Sequence, residues 1–122
     1  MSNQNFAFFP SLLVGGIIMS KSEFRWNKKR KHYAYIHKNY GVKYLNILIT
    51  SKPIVLRKGK KTIINIPLHH HPNKKKEGQY YVIPRNYIDN NDSFDIKIYD
   101  WVWDKNDKRK IKRVKNNKYY KK

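Results

Sequence analysis

Short runs with strand-like alternation recur along the chain. The clearest is VKYLNILIT, residues 42–50. Read as a strand, it places Val42, Tyr44, Asn46, Leu48 and Thr50 on one face and Lys43, Leu45, Ile47 and Ile49 on the other. Its second half is apolar on both faces, which predicts a central, buried strand. HYAYIH, residues 32–37, predicts the strand before it. Asn39, Tyr40 and Gly41 predict the turn between the two, because Asn and Gly tolerate positive φ. After Pro53, residues 54–56 and 62–66 flank residues 57–61 and predict a hairpin with a basic, glycine-containing tip. Residues 79–83 predict another strand, ended by Pro84. Residues 68–78, with His69, His70, His71, Pro72 and three lysines, read as an exposed loop.

Residues 87–103 are less regular, with Phe94, Ile96, Ile98, Trp101 and Trp103 set among Asp89, Asp92, Asp95 and Asp100. Trp101 and Trp103 share a face if that segment is extended, with Val102 opposite. Both tryptophans are therefore expected in the core, and Trp26 at a more exposed position. The pattern then turns helical. Asp104 or Asn106 is the expected cap, Asp107 falls in the first turn, and Lys and Arg crowd the rest, as the helix dipole favours. Ile111 and Val114 are spaced to face the core, and the helix is expected to fray near Asn116 and Asn117. Four or five short strands followed by one helix predict an α+β or mainly β fold. The architecture expected is a small curved antiparallel sheet or SH3-like barrel with a short C-terminal basic helix.

The organisation expected is a leader over residues 1–18, a basic arm over 19–31, one globular domain over 32–115 and a basic tail over 116–122. The leader carries no charge, and its apolar run is broken by Pro10 and by Gly15 and Gly16. It lacks the basic start of a signal peptide. Gly15 to Met19 can be encoded by codons that set a ribosome-binding sequence a short spacer upstream of Met19. Residues 1–18 then read as leader in front of the true start, against a short membrane-touching or core-docking segment.

Charge changes the picture from fold to partner. The chain has 122 residues with 28 Lys plus Arg against 8 Asp plus Glu, a formal net charge of +20. Lys, Asn, Ile and Tyr have AT-rich codons, which accounts for part of the lysine content. Glutamate is AT-tolerant too, yet only Glu23 and Glu77 occur, so the imbalance reads as functional. Such a domain attracts polyanions. The absence of cysteine excludes disulfides, thiolate metal sites and cysteine nucleophiles, and fits a reducing, cytoplasmic setting. No apolar run reaches the ~18–20 residues needed to span a bilayer, so no membrane partner is expected.

The basic residues cluster. Lys28, Lys29, Arg30 and Lys31 lie in the arm, and Arg57, Lys58, Lys60 and Lys61 at the hairpin tip. Lys74 to Lys76 lie in the loop, Arg85 after the last strand, and Lys108, Arg109, Lys112 and Arg113 on the helix. Ten Tyr, three Trp and five Phe run between them. Lysines supply the sequence-independent phosphate contact, and exposed aromatics stack on unpaired bases. The alternative is that the tyrosines fill a small core and the lysines solubilise. Of the three consecutive histidines, His69 and His71 share a face in an extended segment, but a metal site needs a third ligand and none is evident. They read as a solvated loop, or as an acid or base on a phosphodiester. The aspartates match no metal loop and read as turns, a helix cap and partners of the basic helix. No phosphate-binding glycine loop, nucleophile elbow or zinc-protease motif is present, so neither cofactor nor metal is expected.

His32 to Tyr35, residues 43–53, Tyr81 to Arg85, and Ser93, Phe94 and Trp101 carry a resemblance over about residues 24–115. It is to small basic proteins of plasmids, phages and conjugative elements of low-GC bacteria, a group with no assigned activity. More locally, Lys43 and Tyr44, an apolar strand, then Thr50, Ser51, Lys52 and Pro53 resemble the strand-to-loop of type III toxin endoribonucleases, relatives of the MazF/PemK SH3-like barrels. The order here is Thr-Ser-Lys-Pro, where those toxins tend to have Thr-Ser-Pro-Lys. That resemblance implies metal-free RNA cleavage with Thr50, Ser51 and Lys52 around the phosphate; the histidine set beside them as acid or base, from the reading of the histidine loop, is His71.

The function expected is nucleic-acid binding for a mobile element, RNA ahead of DNA. One alternative is a metal-independent endoribonuclease toxin with an antitoxin partner. The other is a non-enzymatic inhibitor that binds a nucleic-acid-handling host or defence protein.

Overall fold

Strand β5 (Lys43–Thr50) runs through the middle of the sheet. The computed structural model describes residues 22–117 in full. Before them it describes the backbone of β1 (Leu12–Val14) and β2 (Ile17–Met19), which pair antiparallel as a separate two-stranded ladder. The rest of the expected leader, and the tail beyond Asn117, lie outside the described residues. On one edge of β5 lies β4 (His32–Asn39), and beyond it β3 (Glu23–Asn27). The other edge is shared. β10 (Tyr87–Asn90) pairs with the first half of β5, and β9 (Tyr81–Val82) pairs with Ile49 and Thr50. β8 (Ile66–Pro67) adds to β9, while β6 (Ile54–Val55) and β7 (Ile63–Ile64) form a hairpin of their own. One helix, α1 (Lys108–Lys115), closes the described chain. The fold is mainly β, a small antiparallel sheet with one short C-terminal helix.

The sheet curls strongly. A 3-10 turn (Asn91–Ser93) carries the chain from β10 round to the far edge of β3. There Asp95 N–H donates to Trp26 O at 2.9 Å and Tyr99 N–H to Phe24 O at 2.9 Å. The contact consists of isolated bridges, Phe24 with Tyr99 and Asn27 with Phe94, so the described residues form no closed barrel.

Residues expected as a basic arm are instead part of the sheet. β3 pairs with β4 along its length and buries Phe24 to 2 % exposure. Phe24 thereby adds its ring to the core. Among the described residues of that segment, the exposed cations are Lys28, Lys29 and Lys31 in the turn that follows, where Lys31 adopts φ 59°.

The alternation read in β5 gives the sheet two different faces. Ile47 and Ile49 join Phe24, Tyr35, Val82 and Trp103 under α1, which contributes Ile111 and Val114. Leu48 joins Ala34, Ile36, Ile63, Ile83 and Phe94 on the opposite face. Trp103 is buried, Trp101 packs partly buried against the same cluster, and Val102 points out, as the spacing predicts. Trp26 is half-buried and packs edge-on against Tyr33.

The helix start differs from the expectation. Asp107 is the N-cap residue, but its carboxylate makes no capping bond. It accepts instead from His69 N–H at 2.9 Å and His70 N–H at 3.2 Å and is fully buried. It thereby ties the histidine loop to the helix. At the other end Asn86 Nδ2 donates to Val114 O at 2.9 Å, satisfying one of the carbonyls a helix leaves unpaired.

Candidate functional site

Beside the apolar cluster on the face of the sheet away from α1 lies a buried polar network. Asn27 from β3, Asn46 from β5 and Asp89 from β10 point to this face by strand alternation and are buried to 0 %, 0 % and 2 % exposure. Asn27 Nδ2 donates to Asn46 Oδ1 and to Asp89 Oδ2, both at 3.1 Å. Asn46 Nδ2 donates to Asp89 Oδ2 at 3.1 Å and to Tyr87 O at 3.0 Å. Arg30 Nε donates to the same Asp89 oxygen at 2.8 Å, and Lys29 Nζ stands 3.7 Å from the other. Burial pushes the Asp89 carboxyl up, but hydrogen bonds from Arg30, Asn46 and Asn27 outweigh it and hold the group below the usual range.

In front of this network lies a groove of about 790 Å³. Its polar lining is Lys29, Arg30, His32, Thr50, Lys52 and Tyr87. Its apolar lining is residues 53–56 with Leu48 and Ile83. No carboxylate is among the lining residues. The register that sets Ala34 opposite Leu48, continued two residues, carries His32 to the level of Thr50. His32 Nδ1 lies 2.7 Å from Arg30 O. A carbonyl only accepts, so Nδ1 donates that bond, and in the neutral form the lone pair lies on Nε2. Thr50 Oγ1 accepts from Lys52 N–H at 3.2 Å, which fixes the start of the loop. The Arg30 guanidinium lies over the Tyr87 ring at 4.2 Å, and Arg85 approaches the same ring at 5.7 Å. Arg85 opens onto a neighbouring groove of about 580 Å³ with Arg57 and Lys61 from the hairpin tip, again without a lining carboxylate.

Of the residues singled out from the sequence, Thr50, Lys52, Lys29 and Arg30 are brought together here. Arg57, Lys61 and Arg85 meet beside them. Ser51, Lys28, Lys31, Lys58 and Lys60 are exposed nearby in sequence but line neither groove. The helix cations stand on the other face. Lys108 and Lys112 line a separate groove of about 500 Å³ with Phe24, Tyr35 and Trp101, and Arg109 and Arg113 are exposed on the same helix. The basic clusters therefore form two cationic surfaces, because α1 packs on the aromatic face.

His71 lies apart from Thr50 and Lys52 and is not solvated. It is 3 % exposed, packed between Tyr80 at 4.6 Å and Trp101 at 5.3 Å, and its Nδ1 accepts from Asn73 N–H at 2.9 Å. Burial, with the charge of Lys76 adding to it, pulls its pKa down to about 4, so it is a neutral core histidine. His69 is exposed and faces Asp104 at 3.2 Å. Among the described residues no three His, Asp or Glu side chains are grouped to hold a metal ion. Nor do the aspartates pair with the helix as a group: Asp89 pairs with Lys29 and Arg30, and Asp104 with Lys74.

Two participants were missed in the sequence. His32 reads there as one residue of a strand, and Tyr87 as one of many tyrosines. Even spacing from Ala34 and Ile36 was the available signal that His32 shares a face with Thr50. No family model, curated protein or solved structure matches the chain.

Proposed function

We propose that the protein binds nucleic acid, RNA ahead of DNA, through the face that carries Thr50 and Lys52. The observation behind this reading is the gathering of cations from four separate segments in two grooves: Lys29 with Arg30 and Lys52 in one, Arg57 with Lys61 and Arg85 in the other, with Arg30 and Arg85 both over Tyr87. The Asp89 carboxylate beneath them is buried and already paired. Such a surface repels itself unless a polyanion is present, and it supplies phosphate contacts without base readout. RNA stands first because RNA loops and ends are where proteins meet unpaired bases. The test is a salt series on RNA and DNA oligonucleotides. Log affinity should fall linearly with log salt, by roughly 0.7 per phosphate neutralised on a single strand and 0.9 on duplex DNA. Affinity that does not respond to salt would refute the reading.

A second reading is metal-independent RNA cleavage in the same groove, favoured by Thr50, Lys52 and His32 lining it together. His32 Nε2 is the base for a 2′-hydroxyl, and Lys52 or Arg30 neutralises the developing phosphorane charge. Cutting of RNA in EDTA, abolished by His32→Asn and by Lys52→Ala with binding retained, would establish it. Absence of cutting by the wild-type protein would leave binding alone. The mobile-element setting, the toxin–antitoxin pairing and the host-inhibitor alternative rest on the sequence reading.

A further inference from the structure

Resting on the nucleic-acid reading, we infer that the groove beside Arg30 takes one unpaired nucleotide, its phosphate on Arg30 and its base on the apolar wall of residues 53–56, so that single strands are preferred over duplex. Arg30 is fixed unusually well for a surface cation. Its Nε is committed to buried Asp89 at 2.8 Å and its plane lies over Tyr87 at 4.2 Å. No hydrogen bond within the described residues occupies Nη1 or Nη2, so that edge of the guanidinium is left for a ligand. Two parallel N–H donors held in one plane match two phosphate oxygens, which a lysine ammonium cannot do. Lys29 and Lys52 line the same groove and add charge.

The apolar part of the lining, residues 53–56, includes side chains open to solvent. Ile54 is 41 % and Leu56 77 % exposed, beside a cluster of cations where solubility alone would favour polar residues. A ligand that covers both the cationic and the apolar lining needs an anionic group and a flat apolar surface. A duplex offers phosphates outward and hides its base faces in the stack, so it can use only the cationic wall. An unpaired nucleotide offers both, and a groove of about 790 Å³ is large enough for one. The buried network of Asn27, Asn46 and Asp89 then has a role as a positioning device: it holds Arg30 in register with the wall.

Fluorescence anisotropy on the full chain tests this, with a labelled single strand and the duplex of the same sequence at equal salt. The single strand should bind about tenfold more tightly. Leu56→Ser, a change at an exposed side chain, should weaken the single strand by on the order of fivefold and leave the duplex unmoved. Arg30→Lys keeps the charge and loses the fork, so it should weaken the single strand several-fold while its salt slope stays the same. Equal affinity for single strand and duplex, or a Leu56→Ser effect that is nil or equal on both, would overturn the inference while leaving nucleic-acid binding intact. Failure of the wild-type protein to bind either would overturn both.

Discussion

Under the helix, Phe24, Tyr35 and Trp103 pack ring against ring at 5.0–5.3 Å, and Ile111 and Val114 close over them. On the reverse of the same sheet, three buried polar side chains and one arginine meet through hydrogen bonds of 2.8–3.1 Å. The aromatic face gains stability from area, which tolerates changes of shape. The polar face depends on direction, because every buried donor and acceptor must find its partner. A fold selected for stability alone has no need of a buried carboxylate there, since apolar residues of the same volume often serve as well or better. What the network does that apolar packing cannot is fix the orientation of Arg30 at the mouth of a groove.

The comparison breaks most readily at Trp103. It is 7 % exposed and touches both Phe24 and Tyr35, so Trp103→Ala should cost about 3–5 kcal/mol in denaturant unfolding. For a domain of this size that is a large share of the total stability. A loss below ~1 kcal/mol would mean that the aromatic face is not the main apolar core.

Acid should separate the two faces next. His71 is neutral in the aromatic cluster, with a pKa pulled down to about 4, whereas the unfolded chain binds its proton near the ordinary value of 6.5. Protonation therefore favours unfolding. Stability should be fully present above about pH 6.5 and fall as pH drops toward 4, by about 3 kcal/mol at the lower end. Asp89, held below the usual carboxylate range, keeps its charge through that window, so the polar network should not contribute to the loss. Unfolding of His71→Gln across pH 7 to 4 checks the assignment, because the slope should flatten. A slope unchanged from wild type would move its origin elsewhere.

Arg30→Ala probes the polar face directly. It leaves the Asp89 carboxylate with two asparagines and a lysine at 3.7 Å. Removing one partner of a buried pair costs about 3–5 kcal/mol, and the partial exposure of Arg30 lowers the expectation to roughly 2–3 kcal/mol. Thermal unfolding reads it out. A neutral result would show that the network holds Asp89 without the arginine.

The sequence carried the aromatic face better than the polar one, for a physical reason. Apolar burial leaves a periodic trace: Ile47 with Ile49, Trp101 with Trp103, Ile111 with Val114. Each trace reads correctly because each element buries its own stripe. The polar network has no period. Asn27, Asn46 and Asp89 come from three strands that meet only once β3 pairs with β4 and β10 with β5. An isolated Asn or Asp in a sequence looks like a turn. The same long-range pairing hides the division of the cations between two faces, because Lys52 and Lys112 look alike until the helix is placed. The histidine loop misled for a related cause. Asp107 draws in the backbone of His69 and His70, and that contact, made across the fold, seats His71 in the aromatic cluster.

The smallest expected effects on stability fall on the surface cations, and there the two faces differ in binding alone. Lys29 and Lys52 line the groove in front of the network, and Lys108 and Lys112 line the groove under the helix. Each is a solvent-facing lysine, so a change to Gln should alter unfolding by no more than about 0.5 kcal/mol. Binding should divide the pairs. If a single strand runs along the Thr50 face, Lys29→Gln with Lys52→Gln removes two phosphate contacts and flattens the salt slope by roughly 1.4. Lys108→Gln with Lys112→Gln removes the same charge from the other face. It lowers the long-range attraction equally but should leave the slope near its wild-type value. Net charge is identical in the two double variants, so a difference between them cannot come from bulk electrostatics. Equal flattening by both would place the strand across the two faces, and flattening only by the helix pair would move the interface to the aromatic groove.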